Sequence, residues 1–492
     1  MSLMRNKSFI RSTTFFVLLF MFCGHAFCYA NLSFSGASVM VDASRSNGSL
    51  IAGGQFLATF YWRVRGSLSA PLTVGLLSAL YLTASAILIA DILKIAHPLS
   101  LFALCGSLSL HISVTAINAS MLHVADVYFL AFLLAVLSVW LCQQHPLGCI
   151  AGAVCFAAVP GLESSMLAAA PALLLIVCLT HILDGMKVAK QLIALFRSFC
   201  GLILGFALYY AAAFLFCRRQ GVELNAAFQL ASSPLDMYLY PLRQLFAPTT
   251  AYASFCAFLS AILITFSLLA LFARILTVKS RGRFLALVCA LLLPLTLNMP
   301  VFSSEPSPAV SQHFVFCLLP VAMIAIIDRF SDMLVLSRAH LLRTLTAAAF
   351  GITFLSSVVF ANQVYLKKNL EYQSTLSVMT RVIEMAEQTD GFDPNTSAVA
   401  VIGNIEDSAI SIPHKGFEHL AVLDAAANNF TVSTQENHTW YFWEIMGYPF
   451  NFISDYERDQ LAATAEVQAM PAFPDQGCCQ MIDGTLVIRL SE

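Results

Sequence analysis

The stretch that decides the fold is residues 343–372, RTLTAAAFGITFLSSVVFANQVYLKKNLEY. Its first twenty residues are apolar enough for a helix to cross a bilayer, which takes about 20 such residues. Beyond residue 366, charged and polar side chains return at a frequency typical of soluble domains. The sequence therefore predicts two parts, a membrane domain over residues 1–365 and a soluble domain over residues 366–492.

Ten further apolar segments precede this stretch. The 492-residue chain is 59% hydrophobic and 11% charged, roughly half the charge of an average soluble protein. We therefore predict a polytopic α-helical membrane protein of about eleven transmembrane helices with a small C-terminal α/β domain. The fifth segment is short and interrupted by Pro160-Gly161, so we expect it to be re-entrant or to stop short of the interface. The predicted spans are residues 12–30, 71–93, 98–118, 122–142, 146–160, 164–183, 198–217, 251–276, 284–301, 313–336 and 343–362.

The positive charges predict the orientation of these spans. The first segment resembles a signal peptide, but we interpret it as an uncleaved first helix with a cytoplasmic N-terminus. Most basic residues between spans then fall on the cytoplasmic side, and Arg218-Arg219 is the main exception. An odd number of spans places the C-terminal domain outside, in the periplasm of a bacterial cell. The cytoplasmic loops receive Lys94, Lys187, Lys190, Arg197, Arg274, Lys279, Arg281, Arg283, Arg329, Arg338 and Arg343.

Two long outer loops are predicted, residues 31–70 and 218–250. In the first, Leu50, Leu57, Phe60, Tyr61 and Val64 recur at helical spacing. Arg63 and Arg65 follow the aromatic run, so this stretch indicates an interfacial helix lying on the membrane. The second loop is too polar to span.

The C-terminal domain is predicted to be small and α/β. A helical stripe runs over Leu376, Met379, Ile383 and Ala386, and residues 398–402 form a short apolar strand. Residues 481–490 indicate a closing hairpin with its turn at Asp483-Gly484. Residues 440–443, Trp-Tyr-Phe-Trp, are expected to pack this domain or to rest it on the membrane part.

Several function classes are disfavoured by composition. The net charge is −2 and there is no basic tract, so nucleic acid is not an expected partner. The 14 cysteines show no metal-binding spacing. Because no phosphate-binding loop, dinucleotide fingerprint or nucleophile elbow occurs, the chain is not expected to draw energy from a bound nucleotide.

Acidic residues are scarce in the membrane part, and several lie where predicted helices emerge on one side. Asp42 follows the first helix; an aspartate there can accept a proton from a sugar hydroxyl, help hold a divalent cation, or be an ordinary solvated carboxylate. Arg45, three residues later, can pair with Asp42 or with a phosphate. The other acidic residues of this kind are Asp126, Glu163 and Glu305.

Further candidates lie at the ends of spans. His123 and Asp126 are three residues apart and share a helix face, as a functional pair or as a helix-end pair that touches water. Glu163 follows the Pro160-Gly161 break, where unwound backbone often lines a cavity, or it is a simple loop residue. His313 opens the tenth span after residues 305–308.

Several short stretches resemble the GtrII-type O-antigen glucosyltransferases. Val41 to Ser46 followed by Gly53-Gly54-Gln55 is similar to the family's acidic pattern in the first outer loop, and the segment 118–126 is similar to the one that opens the fourth span. The C-terminal segments 362–375, 470–477 and 482–490 are the best match. Departures are Val41 in place of the first aspartate, Gln55 in place of an arginine, Pro160-Gly161, and Cys478-Cys479.

The resemblance implies an inner-membrane glycosyltransferase of the GT-C kind. Its donor would be a polyprenyl-phosphate sugar, typically undecaprenyl-phosphate glucose, and its acceptor a lipid-linked O-antigen repeat or a similar surface glycan. Asp42 would be the catalytic base or a metal carboxylate, with Asp126 as the second carboxylate and Glu163 near the same pocket. The donor phosphate would be neutralised by Arg45, Arg63, Arg65 or Arg243.

Two alternatives stay open at this point. A transporter or flippase for a lipid-linked sugar predicts charges at the midplane and internal repeats, whereas the candidate carboxylates lie at helix ends and no repeat is visible. A relic of the family that has lost its chemistry is compatible with Val41 in place of an aspartate. The sequence leaves the sugar, the linkage and any divalent cation undetermined.

Overall fold

The structure is a computed structural model that describes residues 3–31, 47–68, 70–224, 235, 238–239, 253–299, 310–423, 426–432 and 435–491. Helices dominate it, in keeping with the high content of apolar residues. The helices that precede the C-terminal sheet are α1 (Lys7–Ala30), α2 (Asn47–Ala52), α3 (Phe56–Arg65), α4 (Pro71–Leu93), α5 (Pro98–Ser109), α6 (Ile112–Ser120), α7 (Ala125–Gln144), α8 (Gly148–Leu162), α9 (Ala169–Leu183), α10 (Val188–Gln220), α11 (Ala253–Thr277), α12 (Ser280–Leu297), α13 (Leu318–Ser331) and α14 (Leu336–Glu387).

The chain is a polytopic helical membrane protein. Within the described residues, nine helical segments are long and apolar enough to cross a bilayer. Of the remaining predicted spans, the fifth is α8, an apolar helix of only 15 residues, and the ninth is α12. The predicted number of about eleven spans is therefore reduced to nine within the described residues, because α8 is too short to cross alone and α12 is not among the helices that are long and apolar enough. The nine are Lys7–Ala30, Pro71–Leu93, Pro98–Ser120, Leu122–Gln144, Ser164–Leu183, Val188–Gln220, Phe258–Thr277, Val310–Ser331 and Leu336–Glu387.

Contacts between helix termini define two ends of the bundle. At one end, the backbone N–H of Leu3 and the indole of Trp140 both donate to the carboxylate of Asp91. Arg329 of α13 donates to the carbonyl oxygen of Leu93 and to Asp184 there. We call this the basic end, because the loop lysines and arginines predicted to be cytoplasmic gather at it.

The other end carries the C-terminal domain, and we call it the domain end. His25, in the last two turns of α1, lies 2.7 Å from the hydroxyl of Tyr365 in α14, just before the chain leaves the bundle. The first helix therefore begins at one end and the C-terminal domain lies at the other. Which end faces the cytoplasm stays a prediction from the charges.

Acidic residues occur at both ends, not only at the domain end. At the basic end Asp91 meets Lys94 at 3.7 Å, and Asp184 pairs with Arg329 at 2.9 Å. A third pair there joins Asp328 to Arg343 at 2.8 Å. Carboxylates at this end thus tie helix termini together.

The last helix, α14, is 52 residues long and passes through the predicted domain boundary at residue 366 without a break. No glycine or proline stands between residues 352 and 387, so nothing in the sequence stops the helix. Its predicted stripe is partly shifted, since Met379 and Ala386 are buried as expected but Val378 and Val382 replace Leu376 and Ile383 as fully buried positions.

The C-terminal domain is a small sheet packed on the end of α14. The predicted strand is present as β1 and the predicted hairpin as β3–β4, with Asp483 and Gly484 at positive φ in its turn. The sheet order is β2-β1-β4-β3, with β1 parallel to both neighbours and β3 antiparallel to β4. The strands are β1 (Ala398–Ile402), β2 (Asn451–Phe452), β3 (Cys479–Ile482) and β4 (Thr485–Arg489), and the short helices are α15 (Gln435–Trp440), α16 (Asp455–Ala462) and α17 (Ala465–Ala469).

The aromatic run 440–443 packs this domain, which is the first of its two predicted roles. Tyr441 and Phe442 are fully buried in the core formed by β1, β4 and α14. The run continues α15 into a π-helical turn, Tyr441–Ile445. A π-turn shifts the following side chains around the axis, and Trp443 lies partly at the surface.

Candidate functional site

Two carboxylates at the domain end, Glu163 and Asp126, are held near opposite ends of the same short helix, α3. This is the predicted interfacial helix. It buries Ala58, Thr59 and Trp62 against the bundle. Phe60 and Val64 are exposed on its other side, which suits a helix that lies between protein and lipid.

Glu163 lies in the break between α8 and the 3₁₀ helix Ser164–Ala168, and only 8% of its surface is exposed. Its carboxylate accepts hydrogen bonds from the Gln55 side chain at 3.2 Å and from the backbone N–H of Ser165 at 3.0 Å. The hydroxyl of Tyr128 also interacts with it. Burial raises the pKa of Glu163 above its ordinary value, and these hydrogen bonds oppose the rise.

The position of Glu163 is recessed because α8 is short. Helix α7 descends from the domain end for 20 residues, about 30 Å at the usual rise, whereas α8 returns for 15 residues, about 22 Å. Glu163 therefore lies several ångströms further from the domain end, along the bundle axis, than the start of α7. The side chain of Leu57 packs directly on Gly161, where an added Cβ would lie 2.9 Å from its Cδ1 atom, so the N-terminal part of α3 covers this recess.

Asp126 is fully buried and its charge is paired. Arg65 donates to it at 3.1 and 3.3 Å, and the Tyr61 hydroxyl donates to it at 2.8 Å. Arg65 also donates to the backbone carbonyl of His123, and Tyr61 touches the hydroxyl of Tyr81. A buried ion pair persists when hydrogen bonds satisfy both partners. Asp126 therefore anchors the C-terminal end of α3 to α7.

Irregular backbone is concentrated around these residues. The third span is interrupted at Leu110 and His111, between α5 and α6. Three 3₁₀ helices, Leu122–Val124, Ser164–Ala168 and Val310–Cys317, lie at the same end. Non-helical backbone at membrane depth is tolerated where it is buried in protein or lines a cavity.

Two histidines lie on these irregular segments. The ring of His111 is 6.2 Å from that of Phe314, and His313 stacks on Phe316 at 5.0 Å. His111 also accepts a hydrogen bond from the N–H of Ser113 and so caps α6. The predicted candidate His313 is thus packed among aromatic rings near the break.

The structure brings some predicted site residues together and separates others. Asp126, Arg65 and His123 form one network, and α3 links it to Glu163. Arg63 lies on the exposed side of α3. The predicted residues Asp42, Arg45, Glu305 and Arg243 lie outside the described residues, so the predicted approach of Asp42 to Asp126 stays a prediction.

A divalent cation fits the described part of the site poorly. Within those residues no three His, Cys, Asp or Glu side chains are grouped as metal ligands would be. Gln55 and the backbone of Ser165 direct N–H donors at the Glu163 carboxylate, and the Tyr128 hydroxyl also interacts with it. The groups present favour a role for Glu163 in proton transfer or hydrogen bonding.

Sequence reasoning missed the partners Gln55, Tyr61, Tyr81 and Tyr128. Tyr61 and Arg65 are four residues apart, so their shared helix face was a usable signal. Gln55 contacts Glu163 across 108 residues of sequence, and no local pattern indicates such a contact.

Comparison with family models, with curated proteins and with solved structures finds no match for this chain.

Proposed function

We propose that this chain is an inner-membrane glycosyltransferase. It moves a sugar, glucose in our proposal, from a polyprenyl-phosphate donor to a lipid-linked O-antigen or similar surface glycan at the periplasmic face. The observation that carries the proposal is Glu163, a buried carboxylate without a cationic partner among the described residues, recessed at the end of the bundle that bears the C-terminal domain. Uncompensated ionisable groups at membrane depth are costly and are typical of functional sites.

The chemistry needs a proton acceptor and a stabilised leaving group. The acceptor hydroxyl attacks the anomeric carbon, the bond from that carbon to the donor phosphate oxygen breaks, and the hydroxyl proton passes to a carboxylate. The lipid phosphate leaves with the electron pair. A carboxylate with a raised pKa is a better proton acceptor near neutral pH than an ordinary one.

The roles follow from the surroundings of each residue. Glu163 is a stronger candidate for the base than Asp126, since Arg65 offsets the charge of Asp126. Asp42 keeps the role of base that the family resemblance implies, and the two carboxylates are tested side by side. Arg63 is exposed on α3, and in this proposal its guanidinium binds the donor phosphate at headgroup level.

The direct test is sugar transfer by the purified protein in nanodiscs. Undecaprenyl-phosphate carrying radiolabelled glucose is the donor, and a lipid-linked O-antigen oligosaccharide is the acceptor. We expect Glu163→Gln to lower the rate on the order of 10²–10⁴-fold. The matched control is Asp91→Asn, a buried carboxylate at the basic end, which should leave the rate per folded molecule unchanged. A near-normal rate for Glu163→Gln contradicts the role of this residue.

A second candidate function, transport of the lipid-linked sugar, is favoured by one observation. The third span is broken into α5 and α6 at His111, as in transporters whose half-helices form a binding site. Proteoliposomes without acceptor separate the two functions, because a flippase moves a fluorescent lipid-linked sugar between leaflets and a glycosyltransferase does not. An inactive relic shows neither transfer nor movement.

A further inference from the structure

An open groove lies on the C-terminal domain, away from Glu163 and Asp126 of the helical bundle. Its volume is about 520 Å³, and it is open to solvent along its length. Its lining combines aromatic rings with side-chain amides and contains no charged residue. The lining residues are Asn395, Trp443, Gly447, Tyr448, Pro449, Phe450 and Asn451.

Trp443 forms a fixed, partly open wall of this groove. Its indole N–H donates to the carbonyl oxygen of Phe450 at 2.8 Å, and its ring packs against Phe452 and edge-on to Trp440. Yet 41% of the residue is exposed. An aromatic ring that is held in place and open to solvent loses little side-chain entropy when a ligand stacks on it.

The groove lies beyond the reach of the membrane. Tyr448 donates its hydroxyl hydrogen to Glu387 at 2.8 Å, and Glu387 is the last residue of α14. Glu387 follows Tyr365, the residue that contacts His25 in the bundle, by 22 residues of continuous helix, about 33 Å at the usual rise. Interfacial tryptophans sit at headgroup level, so a lipid surface is not the ligand of Trp443.

We propose that this groove binds a neutral glycan chain. The apolar face of a pyranose ring stacks on an aromatic ring, and the exposed amides of Asn395 and Asn451 offer both donors and acceptors to its hydroxyl groups. The absence of charge in the lining matches an uncharged sugar. The inference rests on the proposed function, because the ligand would be a distal part of the acceptor glycan, several sugar units away from the reacting end.

The test is binding of a surface polysaccharide to the full-length protein in nanodiscs, measured by calorimetry. The probe is the neutral polysaccharide released by mild acid from the cells that make this protein, and dextran sulfate is the charged comparison. Trp443→Ala and Asn451→Ala should each weaken binding by about tenfold or more. Tyr456→Ala removes a more accessible aromatic side chain, 72% exposed and outside the groove, and should leave binding unchanged.

The outcomes separate this inference from the proposed function. Glu163→Gln should lose sugar transfer and keep polysaccharide binding, whereas Asn451→Ala should lose binding and keep transfer to a short acceptor. Equal binding by the unsubstituted protein, Trp443→Ala and Asn451→Ala overturns the inference, as does equally tight binding of dextran sulfate. Failure of the unsubstituted protein to bind the polysaccharide also overturns it, and leaves a protein partner as the ligand of Trp443.

Discussion

The two ends of the helical bundle both bury carboxylates, but they balance charge differently. At the basic end, Asp91, Asp184 and Asp328 each meet a lysine or arginine within 4.0 Å. At the domain end, Asp126 is paired with Arg65, while Glu163 has only neutral hydrogen-bond partners among the described residues. A buried carboxylate that is paired anchors a helix terminus, whereas one with only neutral partners has a raised pKa, which suits a proton acceptor.

The largest expected effect tests which carboxylate, Asp42 or Glu163, is the base. If Asp42 is the base that the family resemblance implies, Asp42→Asn should lower sugar transfer on the order of 10²–10⁴-fold. Stability should change little, because the sequence predicts Asp42 in a loop outside the membrane and exposed loop substitutions are usually tolerated. Transfer rate and thermal unfolding are measured on the same nanodisc samples. Near-normal glycan modification by this variant would remove the central role of Asp42 and leave Glu163 as the base.

The second prediction sharpens the difference between paired and unpaired carboxylates. Arg65→Ala leaves Asp126 buried without its counter-charge, which should lower the free energy of unfolding by about 3–5 kcal/mol. Denaturant or thermal unfolding in detergent measures the loss. The double variant with Asp126→Asn should recover part of it, since the two changes are coupled. Arg63→Ala, two residues away and exposed, is the matched control, and equal loss in both variants would contradict the anchoring role.

A third prediction concerns pH. Burial holds the pKa of Glu163 above its ordinary value of 4.5. If Glu163 accepts the proton, the transfer rate should fall on acidification with a midpoint above 4.5, because the protonated form is inactive. The acid limb is measured from rate–pH profiles and should be absent from the residual activity of Glu163→Gln.

The raised pKa of Glu163 affects stability in the opposite direction, because stability should fall as pH rises whereas the transfer rate should increase. Because the folded-state pKa is raised, folding favours the protonated carboxyl, and the contribution of Glu163 to stability falls as pH rises above 4.5 through the folded pKa. Glu163→Gln should reduce this slope. An identical slope in the unsubstituted protein and in Glu163→Gln would show that Glu163 is not shifted.

The smallest expected effect belongs to Arg63. Removing this exposed side chain should leave stability within about 0.5 kcal/mol. We expect the KM for the polyprenyl-phosphate sugar to rise and the effect to shrink at high salt, since an exposed charge is screened. An unchanged KM at low salt would exclude Arg63 from donor binding.

Local patterns in the sequence were sufficient for most of the fold. Apolar length predicted the nine helices of the described residues that can cross a bilayer, and Asp483-Gly484 between alternating apolar residues predicted the hairpin, because spans and turns depend on neighbours along the chain. The sequence could also have predicted that α14 is one continuous helix, because no glycine or proline occurs between residue 352 and its end at Glu387. The prediction that acidic residues gather at one end was incomplete, because the pairs at the basic end join residues far apart in sequence.

Composition and apolar spacing were enough to predict a many-span membrane protein with a small C-terminal sheet and to select the carboxylates. Which carboxylate is neutralised depends on packing in three dimensions, since Arg65 and Gln55 reach Asp126 and Glu163 across 61 and 108 residues. The recess around Glu163 likewise depends on the lengths of two packed helices and on Leu57 closing over Gly161. The physical reason is that burial and electrostatic pairing depend on distances in space, which sequence spacing gives only within a single helix or turn.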